Sequence, residues 1–211
     1  ADIEAEKEVV RFIKKYFPHH NFLAEEHIYP QADTDYTWVI DPLDGTNNYA
    51  CGIPIFCVSI ALAYRNELVC GVVYDTNRDE LFVAQKDKGA FLNGRRIGVN
   101  KVNDMRQAML ITGFYYDRGK EMRRTLIAVE KFLTLPVLGI RRFGSAALDL
   151  CYVACGRAAG FWEFELSPWD FSAGVLLVKE AGGRTSNQHN RPIPLSRKDF
   201  IVASNGKIHT Q

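Results

Sequence analysis

The segment WVIDPLDGTNNY, residues 38–49, ends an apolar, strand-like run in two acids, Asp41 and Asp44, with Pro42 between them and Gly45-Thr46 after them. Two carboxylates about 4 Å apart repel by about 4 kcal/mol at an effective dielectric near 20. A shared proton, a basic partner, solvent exposure or a divalent cation can offset that, and a cation turns the repulsion into the binding determinant itself. Pro42 stiffens the backbone, Gly45 permits a sharp turn, and the N–H groups of Gly45 and Thr46 can then face a phosphate beside cations. DPLDG also has the composition of an ordinary exposed turn. Two further segments argue for convergence: FLAEE sets Glu25 and Glu26 after an apolar pair, and SPWDFSAG sets Asp170 ahead of an apolar helix.

Other chemistries fail on spacing. CYVACGR, Cys151 to Arg157, has the bare Cys-x5-Arg spacing of a thiol nucleophile, but its residues continue a helical pattern. An aspartyl-phosphate route needs acids one residue apart, and no GxxxxGK[ST] loop is present.

Several elements must position these acids. Residues 1–22 place Val9, Val10, Ile13 and Phe17 on one helical face, with glutamates early, lysines late and Pro18 as the stop. This helix begins abruptly, and Asp2 reads as part of an N-cap or helix interior. From Phe56 to Arg96 a period-two pattern, with Val58, Ile60, Leu62 and Tyr64 on one side and turn signals between runs, predicts an antiparallel meander. Helices are expected at 120–132, at GSAALDLCYVACG with Gly156 as its end, and after Asp170 up to Gly182-Gly183. AAGFWEF is expected as a strand. Strands and helices mix without a regular βαβ repeat, which predicts layered sheets and helices.

Composition narrows the class. The chain has 211 residues, 47% of them hydrophobic, enough for a sizeable core without disulfides or a structural metal. With 26 basic and 25 acidic residues it carries no broad field for nucleic acid or an anionic membrane. No apolar run reaches the ~18–20 residues of a membrane span, and the cytoplasm is the expected location. The five cysteines lack metal-site spacing and read as reduced core thiols.

DPLDGTNN followed far downstream by WDFSAGVLLVKEAGG, with FLAEE where a Gly-Glu-Glu is usual, resembles the two signatures of the inositol monophosphatase family of magnesium-dependent, lithium-sensitive phosphatases. The resemblance runs from Asp2 to His209; Ala24 departs from the usual glycine, the segment between Glu25 and Asp41 is short, and the family's helix upstream of Asp2 is not seen. It implies one α/β domain over 1–211, a five-layer αβαβα sandwich shared with fructose-1,6-bisphosphatase, and a homodimer. It further implies that Glu25, Asp41 and the Leu43 carbonyl hold one Mg²⁺ and that Asp41, Asp44 and Asp170 hold a second. Two or three ions are expected, Mn²⁺ substituting and Li⁺ inhibiting. Thr46, polarised by Asp2, would orient the attacking water, with Glu25 among the catalytic groups. Gly45 and Thr46 would bind phosphate, while Gly144, Ser145, Ala146, Glu163 and Arg141 would contact substrate. Plainer roles stay open: a helix N-cap for Asp2, solvent exposure for Glu163 and a surface pair for Arg141 and Arg142.

The implied reaction is in-line hydrolysis of a small polyol or sugar phosphate by water, with no covalent phosphoenzyme. Asn-Asn-Tyr after Thr46 is similar to the inositol branch. Fructose 1,6-bisphosphate, histidinol phosphate and 3′-phosphoadenosine nucleotides are the alternative substrates, and a regulatory, partner-binding protein on the same fold is the alternative of another class.

Overall fold

The computed structural model describes residues 1–114 and 118–209. In chain order its elements are α1 (Asp2–Tyr16), β1 (Asn21–Ala24), β2 (Tyr36–Asp44), α2 (Thr46–Ala50), β3 (Cys57–Tyr64), β4 (Glu67–Asp75), β5 (Glu80–Gln85), β6 (Gly89–Leu92), β7 (Arg95–Arg96), β8 (Met109–Thr112), α3 (Lys120–Thr134), β9 (Gly139–Arg141), α4 (Ala146–Ala154), β10 (Gly160–Leu166), α5 (Pro168–Glu180), β11 (Arg184–Ser186) and β12 (Asp199–Ser204). β1 to β7 form one sheet in sequence order, parallel only between β1 and β2. The second sheet has the order β11-β12-β10-β8-β9, with β8 parallel to both neighbours.

Adjacent residues of one strand enter different cores, as the two-residue period requires. Val39 faces a central core and Ile40 an outer one under α1 with Val10, Ile13 and Phe22. In the second sheet Ile111 and Phe161 face the centre, while Leu110 and Trp162 pack under α3 with Val129 and Phe132. α4 and α5 fill the space between the sheets, giving the αβαβα layering that the resemblance implies. All nine residues of α4 are buried, as expected for a helix covered on every side. Gly156, at φ +80°, ends its C-terminal turn.

The meander is present, but its fully buried face carries the small residues. Cys57, Ser59, Ala61 and Ala63 are buried, while Val58, Ile60, Leu62 and Tyr64 are half-buried on the other side. α5 lies against this sheet, and small side chains let the helix approach. Phe17 likewise departs from its expected place: α1 stops at Tyr16, and Phe17 stacks beside His20 and Trp38 with 44% of its surface exposed. All five cysteines are free thiols. Among the described residues no helix is long and apolar enough to cross a membrane.

Candidate active site

Asp41 and Asp44 are three positions apart, so a regular strand would aim them at opposite faces of the sheet. β2 is not regular there. Asp41 pairs with Ser59 and Asp44 with Cys57, so β2 holds one more residue than β3 between these pairs. That bulge, containing Pro42, which has no N–H to give a ladder, brings both aspartates to one side. Gly45 then turns the chain at φ +98°, where an added Cβ would lie 2.8 Å from the Ile55 carbonyl oxygen, and α2 begins at Thr46.

The acids line one cavity of about 250 Å³ with Leu43, Gly45, Thr46, Gly144 and Ala146. Glu25 comes from the end of β1, Asp170 from the first turn of α5 and Glu163 from β10; Arg142, Lys198 and Trp169 complete much of the wall. Asp170 is the third residue of its helix rather than the residue before it, and it closes a capping box with Ser167.

Each aspartate uses one oxygen to hold local structure. Asp41 Oδ1 accepts from Leu43 N–H (3.0 Å), and Asp170 Oδ2 accepts from Ser167 N–H (2.7 Å). Asp44 Oδ2 accepts from Ser145 Oγ–H (2.6 Å) and Ala147 N–H (2.7 Å), at the positive end of α4. Ser145 is therefore a buried support for Asp44, whereas Gly144 and Ala146 face the cavity.

Burial raises the pKa of every member, and repulsion adds to it at Glu25, Asp41, Glu163 and Asp170. Burial pushes Asp44 up to about 6, with Ser145 and the α4 N–H groups holding it down. Burial, then repulsion from Asp44, brings Asp170 to about 8, and burial with Asp44 and Asp170 brings Glu163 to about 8. Asp41 is raised well above the ordinary range by burial, then by Asp44, Glu25 and Asp170. Glu25 is raised by loss of solvent, pulled back by a hydrogen bond with Asp41, and pushed up again by Glu26, Asp44 and Asp2.

Asp2 is the first residue of α1, with Ala1 at the N-cap, and lies near enough to Glu25 to repel it. Thr46 Oγ1–H donates to the Leu43 carbonyl (3.0 Å), so its proton points to that nearby acceptor and not to Asp2. Arg141 ends β9, donates to the Ile140 carbonyl and lies outside the cavity lining; Arg142, on the loop leading to α4, is the arginine that lines it. Glu163 is half-buried and Glu165 exposed, and both line the cavity because a register shift with Glu165 at φ +58° bends β10. Gly113 leaves room for Glu163, whose carboxylate fills the space a Cβ would take. Sequence reasoning missed Lys198 and Trp169; SRKDF carries no motif, and in SPWDFSAG only Asp170 was singled out. The thiol reading of CYVACGR fails, since Cys151 is fully buried inside α4 and burial raises its thiol pKa, while Arg157 pairs with Glu80.

Among the described residues no group of three or more His, Cys, Asp and Glu side chains is arranged to hold a metal ion. The acids share a cavity, but Asp41 and Asp170 are each tied to a nearby backbone N–H and Asp44 to Ser145 and Ala147 of the α4 start. Their donor chemistry nevertheless fits a hard divalent cation: four carboxylates line one space, burial disfavours the ionised form of each, and neighbouring acids add repulsion at Asp41 and Asp170.

The description "inositol monophosphatase family" belongs to the family model that matches residues 1–211. The chain is similar to the inositol-1-monophosphatase of Synechocystis sp., with 44% identity over all of this chain and 73% of that protein. It is similar to the Nus factor SuhB of Pseudomonas aeruginosa, with 43% identity over 98% of this chain and 77% of the other. Among solved structures, the inositol monophosphatase of Anabaena (Nostoc) sp. superposes with TM-score 0.92 at 43% identity, covering 99% of this chain and 82% of that one. The extragenic suppressor protein suhB of Bartonella henselae superposes with TM-score 0.93 at 41% identity, covering 99% and 80%.

Proposed function

Because the chain belongs to the inositol monophosphatase family, we propose that it is a Mg²⁺-dependent phosphomonoesterase acting on inositol monophosphate or a related small sugar phosphate. The observation that carries the reading is the convergence of Glu25, Asp41, Asp44 and Asp170 from three separate parts of the chain on one cavity, where burial disfavours their ionised forms and repulsion adds to it at Glu25, Asp41 and Asp170. Glu25, Asp41 and the Leu43 carbonyl would hold one cation, and Asp41, Asp44 and Asp170 a second. Bound there, such ions supply neutralisation of phosphate charge, activation of water and stabilisation of the leaving oxygen.

The chain's own groups supply the rest. Gly45 and Thr46 would face the phosphate, with Thr46 orienting the attacking water and Asp2 adding negative charge behind Glu25. Gly144 and Ala146 would pack on the substrate body, and Glu163 would hydrogen-bond its hydroxyls. Arg142, rather than Arg141, would meet the substrate at the cavity wall.

The test is phosphate release from inositol 1-phosphate with and without Mg²⁺. Metal-dependent turnover is expected, lowered by orders of magnitude in Asp44→Asn, and equal activity in EDTA would sink the proposal. A second reading, a partner-binding role on the same fold, is favoured by the similarity to proteins named Nus factor. Under that reading Asp44→Asn retains every captured partner while turnover is absent from both proteins.

A further inference from the structure

Glu6 is a fully buried acid in α1, 0% exposed, on the side of the helix that also buries Val10 and Ile13. Burying a carboxylate is costly unless donors meet it. Among the described residues its donors all come from one short stretch of chain. Oε2 accepts from Glu26 N–H (2.8 Å), Oε1 accepts from Tyr29 O–H (2.9 Å), and His27 Nδ1 stands 2.8 Å from Oε1. That stretch starts one residue after Glu25 and has no helix or strand until β2 begins at Tyr36. Ile28 within it is fully exposed, so side-chain burial at that position does not hold it. Its far end is tied separately, by Asn21, whose side chain bonds both the N–H and the carbonyl of Ala32.

We propose that Glu6 is a positioning residue for Glu25, pinning the backbone immediately after it so that the Glu25 carboxylate stays directed toward Asp41. This rests on the reading of Glu25 as a cation ligand. A carboxylate suits the place because three donors converge on two acceptor oxygens. Glutamine would turn an N–H₂ toward one of them. With its oxygen kept for Tyr29 and His27, the hydrogen bond that breaks is the one from Glu26 N–H, nearest Glu25. α1 thus acts as part of the site's support as well as the cover of an outer core.

The test compares wild type, Glu6→Gln and Val10→Ala. Val10, one turn further along α1, is 4% exposed in the outer core on which Tyr29 also packs, and its truncation loosens the helix while deleting none of the three groups that bond Glu6. Mn²⁺ binding is followed by the electron paramagnetic resonance of the free ion, and backbone hydrogen exchange is followed over residues 25–32. Glu6→Gln is expected to weaken Mn²⁺ binding about 10- to 100-fold, the range for supports of metal ligands, and to speed exchange in that segment. Val10→Ala is expected to stay within about twofold of wild type in Mn²⁺ affinity despite a lower thermal midpoint. Tyr29→Phe, which deletes one donor and one oxygen atom, provides a gentler variant with an intermediate loss. Wild-type affinity in Glu6→Gln or Tyr29→Phe, or an equal loss in Val10→Ala, would overturn the proposal. If wild type bound no Mn²⁺, the cation-site reading would fall and this one with it; binding by wild type and undiminished binding by Glu6→Gln would remove only the role of Glu6.

Discussion

Asp149 tests how burial sets the charges behind the cavity. It lies in α4 one turn beyond Ser145, 1% exposed, and among the described residues neither carboxylate oxygen has a hydrogen-bond partner. Burial raises its pKa well above that of an ordinary aspartate; Glu163 and Asp44 add repulsion, and Arg142 opposes it. An acid with a native pKa above its unfolded one contributes stability that is complete below the unfolded value, about 3.9, and is lost as pH rises through the native value. The unfolded chain releases a proton that the folded chain keeps. While the native carboxyl holds its proton, the loss is about 1.4 kcal/mol per pH unit. Asp149→Asn keeps the shape and carries no charge at any of these pH values, so the slope disappears. The variant should therefore gain on wild type by up to about 1.4 kcal/mol per unit, or about 3–6 °C in thermal midpoint for a chain of this length. Thermal midpoints of both proteins in EDTA, taken between about pH 4.5 and 7, measure that difference with Glu163 and Asp44 present in each. A difference that stays flat across the range would show that Asp149 is ionised in the folded protein and would refute the reasoning.

Arg142→Ala is expected to raise KM for a phosphate monoester several-fold with little change in thermal midpoint, whereas Arg141→Ala leaves KM near wild type; steady-state kinetics of the two would expose a reversed order. Gly45→Ala forces a side chain into the left-handed region and against the Ile55 carbonyl, so a loss of at least about 1–2 kcal/mol in denaturant unfolding is expected, together with a fall in turnover as the Asp44–Thr46 turn shifts. An alanine variant as stable and active as wild type would contradict that.

The layers were legible because hydrophobic period reports which elements exist. Helix α3, the meander and the buried α4 follow from spacing alone, and the two acidic signatures named the family. The side of an element that turns inward was less legible, since it is fixed by neighbours distant in the chain. In β3 the period was right, yet the closeness of α5 gave the most buried face to Cys57, Ser59, Ala61 and Ala63. Arg141 and Arg142 differ by one position; β9 ends at the first, and only the path of the loop into α4 brings the second to the cavity.

The acids themselves show the same limit most sharply. Their identity was readable, but Asp41 and Asp44 face one way only because β2 carries an extra residue against β3, and a pattern of apolar and polar letters does not record a partner strand's count. The supports are further out of reach: Ser145 meets Asp44 across 101 positions and Glu6 meets the segment after Glu25 across 20. Glu6 read as one more early glutamate of an amphipathic helix, favourable to its dipole, because the donors that make its burial tolerable lie beyond the next strand. A motif therefore names the groups that do chemistry, while the residues that aim them are chosen by contacts whose spacing in sequence has no period to read.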